Sequence, residues 1–152
     1  MSLSKPALDA IGQRFRRAIE LWLAENPETV LSTNFAAASV AAFPIDCCKA
    51  TSYMLGHYLS RTIGVEHLPY VWGTRDGDTH GWLCCDGYFI DLTGDQFPDQ
   101  PHPVVVACQE ESQWHWTFLP HKMYEFSLRS DSPLVGYATE VAKHLEPESK
   151  DP

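Results

Sequence analysis

The sequence predicts an α+β fold with helices packed on an antiparallel sheet. Three observations carry that expectation. Apolar residues recur at helical spacing near the start of the chain. Short strand-like segments follow, two of them flanking an Asp-Gly pair. A last helical stretch opens at Asp131-Ser132-Pro133. Helices first and last, with a run of strands between them, are the mark of this class. At 152 residues the chain has the size of one ordinary domain and can bury a core without staples. Residues 1–146 are read as a single domain and 147–152 as a polar tail.

Leu8, Ile11, Phe15, Ile19, Trp22 and Leu23 are three or four positions apart, so 7–26 is an amphipathic helix. Ser4 is its cap, Pro6 sits in its first turn and Pro27 ends it. Residues 28–45 mix small and apolar types without a clear period, and Pro44 breaks them. Asp46, an N-cap residue type, opens a second helix that runs through Leu55, Leu59 and Ile63 to Gly64. Strands are expected over 67–72, 80–85 and 88–93, the last two joined at Asp86-Gly87, a strong hairpin signal. Two more are expected at 104–108, apolar enough to be central, and at 114–119. The final helix carries Leu134, Ala138, Val141 and Leu145 on one face.

With 11 Lys+Arg against 20 Asp+Glu and a net charge of −9, the chain is a poor candidate for binding nucleic acid or anionic membranes, which require a basic face. No segment approaches the roughly 18 apolar residues of a membrane span. Residues 1–15 hold no apolar leader core, and a cytoplasmic location is expected. Six aspartates and no lysine or arginine occupy 76–99. They predict a solvated, turn-rich edge rather than a calcium site, because the calcium-loop spacing is missing. The five cysteines include the adjacent pairs Cys47-Cys48 and Cys84-Cys85, unlike a secreted disulfide framework or the C-x-x-C spacing of zinc. No metal or cofactor is expected.

With Asp46 as cap, Cys47 and Cys48 become the first helical residues. There the unpaired N–H groups and the positive helix end favour a thiolate. In the hairpin, a two-residue turn sets Cys85 opposite Tyr88 and puts His80, Trp82 and Cys84 on one face with Asp91. Asp91 is then a diagonal neighbour of His80, about 7–8 Å away between backbones and within side-chain reach. A carboxylate there can fix the imidazole tautomer and support an imidazolium. Nucleophile, base and orienter are the roles a thiol acyl-transfer enzyme needs.

The stretch Phe43-Pro44-Ile45-Asp46-Cys47-Cys48-Lys49-Ala50-Thr51-Ser52, then His80-Gly81-Trp82, then Tyr88-Phe89-Ile90-Asp91-Leu92-Thr93 resembles the transglutaminase-like superfamily. The resemblance covers about residues 43–97, a little over a third of the chain. It implies a papain-like α+β core with a cysteine at a helix start, a histidine on the next strand and an aspartate on the strand after. Matched residue by residue, the base falls on His80 and the orienter on Asp91. The nucleophile falls on Cys48 or Cys47. Cys48 is preferred because its spacing to Ala50 and Ser52 fits the family's C-x-x-x-[AS] pattern. Asp46 stands where the family has glycine.

The implied activity is thiol-dependent acyl transfer on a peptide or protein substrate, as a cysteine protease, amide hydrolase, deamidase or transglutaminase-type enzyme. The alternative is a non-catalytic peptide- or protein-binding module keeping the fold. Trp82 either walls the site or fills the core. Gln96 is a candidate contact beside the cleft. Cys84, Cys85 and Cys108 read as packing. His67, His102, His115, His121 and His144 are scattered, and Trp114-His115-Trp116 would alternate along a strand.

Overall fold

A computed structural model describes residues 2–27 and 40–145. Most of 28–45 and the whole of the tail therefore lie outside the described residues. Helix α1 spans Lys5–Glu25, with Ser4 at its N-cap accepting from the Ala7 N–H. Helix α2 spans Cys48–Tyr58 and runs on through a single π-helical turn, Leu59–Ile63, to Gly64 in the left-handed region. Strands β1 (Pro69–Arg75), β2 (Asp78–Cys85), β3 (Tyr88–Asp91), β4 (Val105–Cys108) and β5 (Lys122–Glu125) form one antiparallel sheet in the order β4-β3-β2-β1-β5. Helix α3 spans Pro133–Ala142 and is capped by Ser132. The mixed α+β class predicted from the sequence is the one observed. No helix among the described residues is long and apolar enough to cross a membrane.

The sheet separates two apolar clusters. The larger joins Leu8, Phe15 and Ile19 of α1, Met54 and Leu55 of α2 and Val141 of α3 to Tyr70, Leu83, Cys85 and Ile90 of the sheet. The smaller, on the other face, holds Val71, Trp82, Cys84, Phe89 and Phe118. Each fully buried side chain of this kind contributes roughly 1.5–3 kcal/mol. Residues 84 and 85 thus serve opposite faces, as strand alternation requires. Cys108 is only partly buried.

The Asp86-Gly87 turn has φ of 50° and 83° at its two residues, the type I′ geometry that matches strand twist. It sets Cys85 opposite Tyr88 and Cys84 opposite Phe89, the register expected from the sequence.

Four expectations need correction. Asp46 is not the cap: it has φ 56° and its position lies before the helix, while Cys47 is the N-cap and Cys48 the first helical residue. The segment 114–119 is not a strand. His115–Thr117 form a 3-10 turn, with the Phe118 N–H donating to the His115 carbonyl. Strand β4 is apolar yet lies at the sheet edge, because α1 covers one side of it. The other edge is β5, which no apolar period announces. All four of its residues are exposed, so it carries no buried run to betray it. Finally, the aspartates of 76–99 are not all solvated. Asp91 is buried, Asp95 pairs with Arg16 and Asp99 pairs with Arg75.

Candidate functional site

The start of α2 and the β2–β3 hairpin meet around His80. Gly81 makes the approach possible: a Cβ there would overlap the hydroxyl of Tyr70, which crosses the strand at that point. Across the ladder His80 faces Gly73, whose missing side chain admits the carbonyl of Phe118.

His80 is fully buried. Its ring lies edge-on to Phe97 and Trp114 and tilted against Trp82 and Phe118, with centroids 5.1–5.7 Å away. Its Nε2 stands 2.7 Å from Asp91 Oδ2. Asp91 is also buried, and its Oδ1 accepts from the Thr93 N–H at 2.9 Å. Because an ionised carboxylate only accepts, Nε2 carries a proton and Nδ1 is the nitrogen left for chemistry. Burial alone would pull this imidazole down. The charge and hydrogen bond of Asp91, helped by Cys48, outweigh that and raise it to about 9. Burial likewise works against the Asp91 carboxylate, but His80 and a second histidine hold it well below its usual range. The pair therefore stands as imidazolium and carboxylate at neutral pH.

The two candidate nucleophiles part company here. Cys48 is half-buried, and it is one of the neighbours that raise the His80 imidazole. Cys47 is 1% exposed, and burial pushes its thiol up to about 12. Cys48 is thus the cysteine brought to His80 and Asp91, whereas Cys47 points into the interior. Tyr70 also presents its hydroxyl to Cys48. Burial first, then the neighbouring Cys48 and Tyr124, keep that phenol protonated far above its ordinary range.

Gln96 lies at the open side of the imidazole, in the 3-10 turn Gly94–Gln96. Its Nε2 is 3.4 Å from His80 Nδ1 and donates to the Thr93 carbonyl at 3.0 Å, while its Oε1 accepts from the Asp46 N–H. Gln96 thereby links the turn before α2 to the end of β3. Arg16 of α1 fastens this same turn, donating to both Asp95 carboxylate oxygens and to the Leu92 and Pro103 carbonyls. Trp82 is fully buried and forms the floor behind His80 rather than an open wall.

Sequence reasoning missed His115 and Ser112. His115 Nε2 lies 2.9 Å from Asp91 Oδ2, and its Nδ1 is 2.6 Å from Ser112 Oγ. Both residues are buried. The available signal was the i,i+3 spacing of Ser112 and His115, which places the two side chains together on a tight turn. A strand period assigned to 114–119 hid it. No group of acidic, histidine or cysteine side chains among the described residues is arranged to hold a metal ion.

Comparison with family models, curated proteins and solved structures finds no significant match for this chain.

Proposed function

We propose that this chain is a thiol-dependent acyl-transfer enzyme of transglutaminase-like, papain-like type, acting on a peptide or protein amide through Cys48, His80 and Asp91. The observation that carries this reading is the buried His80–Asp91 pair at 2.7 Å, with Cys48 at the start of α2 among the groups that raise the imidazole. A buried charge pair is costly to desolvate and persists only where its partners are well placed. Such pairs with shifted titration gather at functional sites.

In the proposed reaction the Cys48 sulfur, as thiolate beside imidazolium, bonds to the carbonyl carbon. The carbonyl electron pair moves to oxygen, where the Cys48 backbone N–H at the helix start offers a donor. When the C–N bond breaks, the imidazolium proton passes to the leaving amine and a thioester remains. Water, or an amine, then gives its proton to His80 as its oxygen or nitrogen bonds to the acyl carbon. The thiolate leaves and regains its imidazolium partner. Asp91 stays ionised throughout and orients the ring. Hydrolysis, deamidation and amine transfer differ only in the leaving group and the acceptor.

Iodoacetamide labelling read by mass spectrometry tests the reading. At pH 6 one cysteine, Cys48, is expected to react much faster than the other four, and His80→Ala is expected to slow it by about tenfold or more. Slow, equal labelling of every accessible cysteine would favour the non-catalytic peptide-binding module. A panel of peptide amides carrying thiol-directed warheads then sorts the substrate class.

A further inference from the structure

Asp91 Oδ2 is shared. Two buried imidazoles approach the same oxygen, His80 at 2.7 Å and His115 at 2.9 Å, and the first is the one that Cys48 helps to raise. A nucleophile–base–orienter row has no use for a second histidine on the far side of the carboxylate, and a hydrophobic residue would fill the space at lower desolvation cost. The site nevertheless encloses His115 completely, with Trp82 at 4.5 Å and Phe89 at 5.3 Å between ring centroids. It also supplies Ser112 for the remaining nitrogen. We propose that His115, held by Ser112, is a positioning residue of the reaction: it divides the negative charge of Asp91 and so sets how tightly His80 keeps its proton. This rests on the acyl-transfer reading above.

The chemistry follows from the hydrogen-bond inventory. The carboxylate only accepts, so His115 Nε2 must donate to it. Its Nδ1 then meets the Ser112 hydroxyl at 2.6 Å, so both ring nitrogens are partnered. That bond polarises the ring and fixes its face, which an unanchored imidazole would not hold. Each N–H that Asp91 accepts draws charge away from the bond to His80. With Thr93 on Oδ1 and His115 on Oδ2, the carboxylate is held as an anion, but one whose pull on the imidazolium is shared. A base that must release its proton to the leaving amine benefits from that restraint. The other titratable and charged groups facing this row are few. Cys48 comes from α2. His121 donates to the His115 carbonyl at 2.8 Å. Arg75, on β1, lies over the Phe97 and Phe118 rings and is paired with Asp99.

The test is the pH profile of Cys48 alkylation by iodoacetate in the full chain. Iodoacetate is an anion, so its rate falls on the alkaline side as the imidazolium loses its charge. In His115→Phe, which fills the space without a donor, Asp91 concentrates on His80. The alkaline limb is then expected to move up by roughly 0.5–1 pH unit, the equivalent of one lost hydrogen bond. In His115→Gln, whose Nε2–H can donate from nearly the same place, the limb is expected to return toward the wild-type position. An alkaline limb that stays put in a folded His115→Phe, or that moves equally in both variants, overturns the proposal and leaves His115 a packing residue. Should His115→Phe fail to fold, Ser112→Ala carries the test, with a smaller shift in the same direction. An unmoved limb in folded Ser112→Ala overturns the proposal equally. If wild-type protein has no selectively alkylated cysteine at all, the acyl-transfer reading falls and this inference with it.

Discussion

Cys47 and Cys48 are adjacent and chemically identical, yet one helical step separates an interior thiol from one that meets an imidazole. The helix start decides this. Cys47 holds the N-cap, where its carbonyl takes the Thr51 N–H at 2.9 Å, and its side chain turns inward. The first helical residue, Cys48, is rotated by about 100° from its neighbour. Two substitutions separate them. Cys48→Ser is expected to abolish fast labelling at pH 6. Cys47→Ser, near-isosteric and a favourable cap type, is expected to leave the labelled stoichiometry at one per chain, as peptide mass mapping would read. Loss of fast labelling in a folded Cys47→Ser would reassign the nucleophile. Gly81 gives a sharper residue-level prediction. Its Cβ position is taken by the Tyr70 hydroxyl, so Gly81→Ala must displace either Tyr70 or the strand. Fast labelling is expected to drop several-fold, with overpacking costing about 1–3 kcal/mol in a urea melt.

At the level of elements the hairpin carries the site. The sequence made this legible through Asp86-Gly87: a type I′ turn fixes the register, and register decides which face Asp91 occupies. Inserting one glycine after Gly87 is expected to abolish fast labelling of Cys48 without unfolding α1, a split that hydrogen exchange can resolve. Other elements left weaker traces. Strand β5 packs no residue into the interior, so Lys122–Glu125 offers no apolar period to read. The Trp114–Leu119 segment has the composition of a strand, but its backbone turns at His115, and only that turn brings an imidazole back to Asp91. Asp46 is a cap by residue type and a left-handed turn residue in fact, its N–H donating to Gln96 Oε1. Local pattern pointed to Cys47 or Cys48, His80 and Asp91, which lie on or beside regular elements, and the resemblance chose Cys48. Ser112 and His115, on an irregular connection, depended on tertiary contacts that no period encodes.

At the scale of the whole molecule, pH couples the site to stability. The His80 imidazole is raised from an ordinary 6.5 to about 9 on folding. A raised group stabilises the fold fully below its unfolded value and loses that contribution as pH climbs through the folded value. Stability is therefore expected to fall between about pH 6.5 and 9, by roughly 3 kcal/mol if His80 acts alone. Urea midpoints across that window measure it, and His80→Gln should flatten the slope. The opposite sign applies to Asp91, whose lowered carboxyl supports the fold above the ordinary carboxylate range and gives way only in strong acid. Arg16 is the second long-range tie. It is 8% exposed and joins α1 to the turn holding Gln96, so Arg16→Ala is expected to cost about 3 kcal/mol and to loosen the site together with the core. The aromatic enclosure around Asp91 also has a spectroscopic consequence. Two imidazole N–H protons end on one carboxylate oxygen behind a wall of rings, sheltered from exchange with bulk water. They should appear as two separate proton resonances downfield of the amide envelope. Both should vanish together in Asp91→Ala, so one spectrum of the resting protein reports whether the row is assembled before any substrate is known.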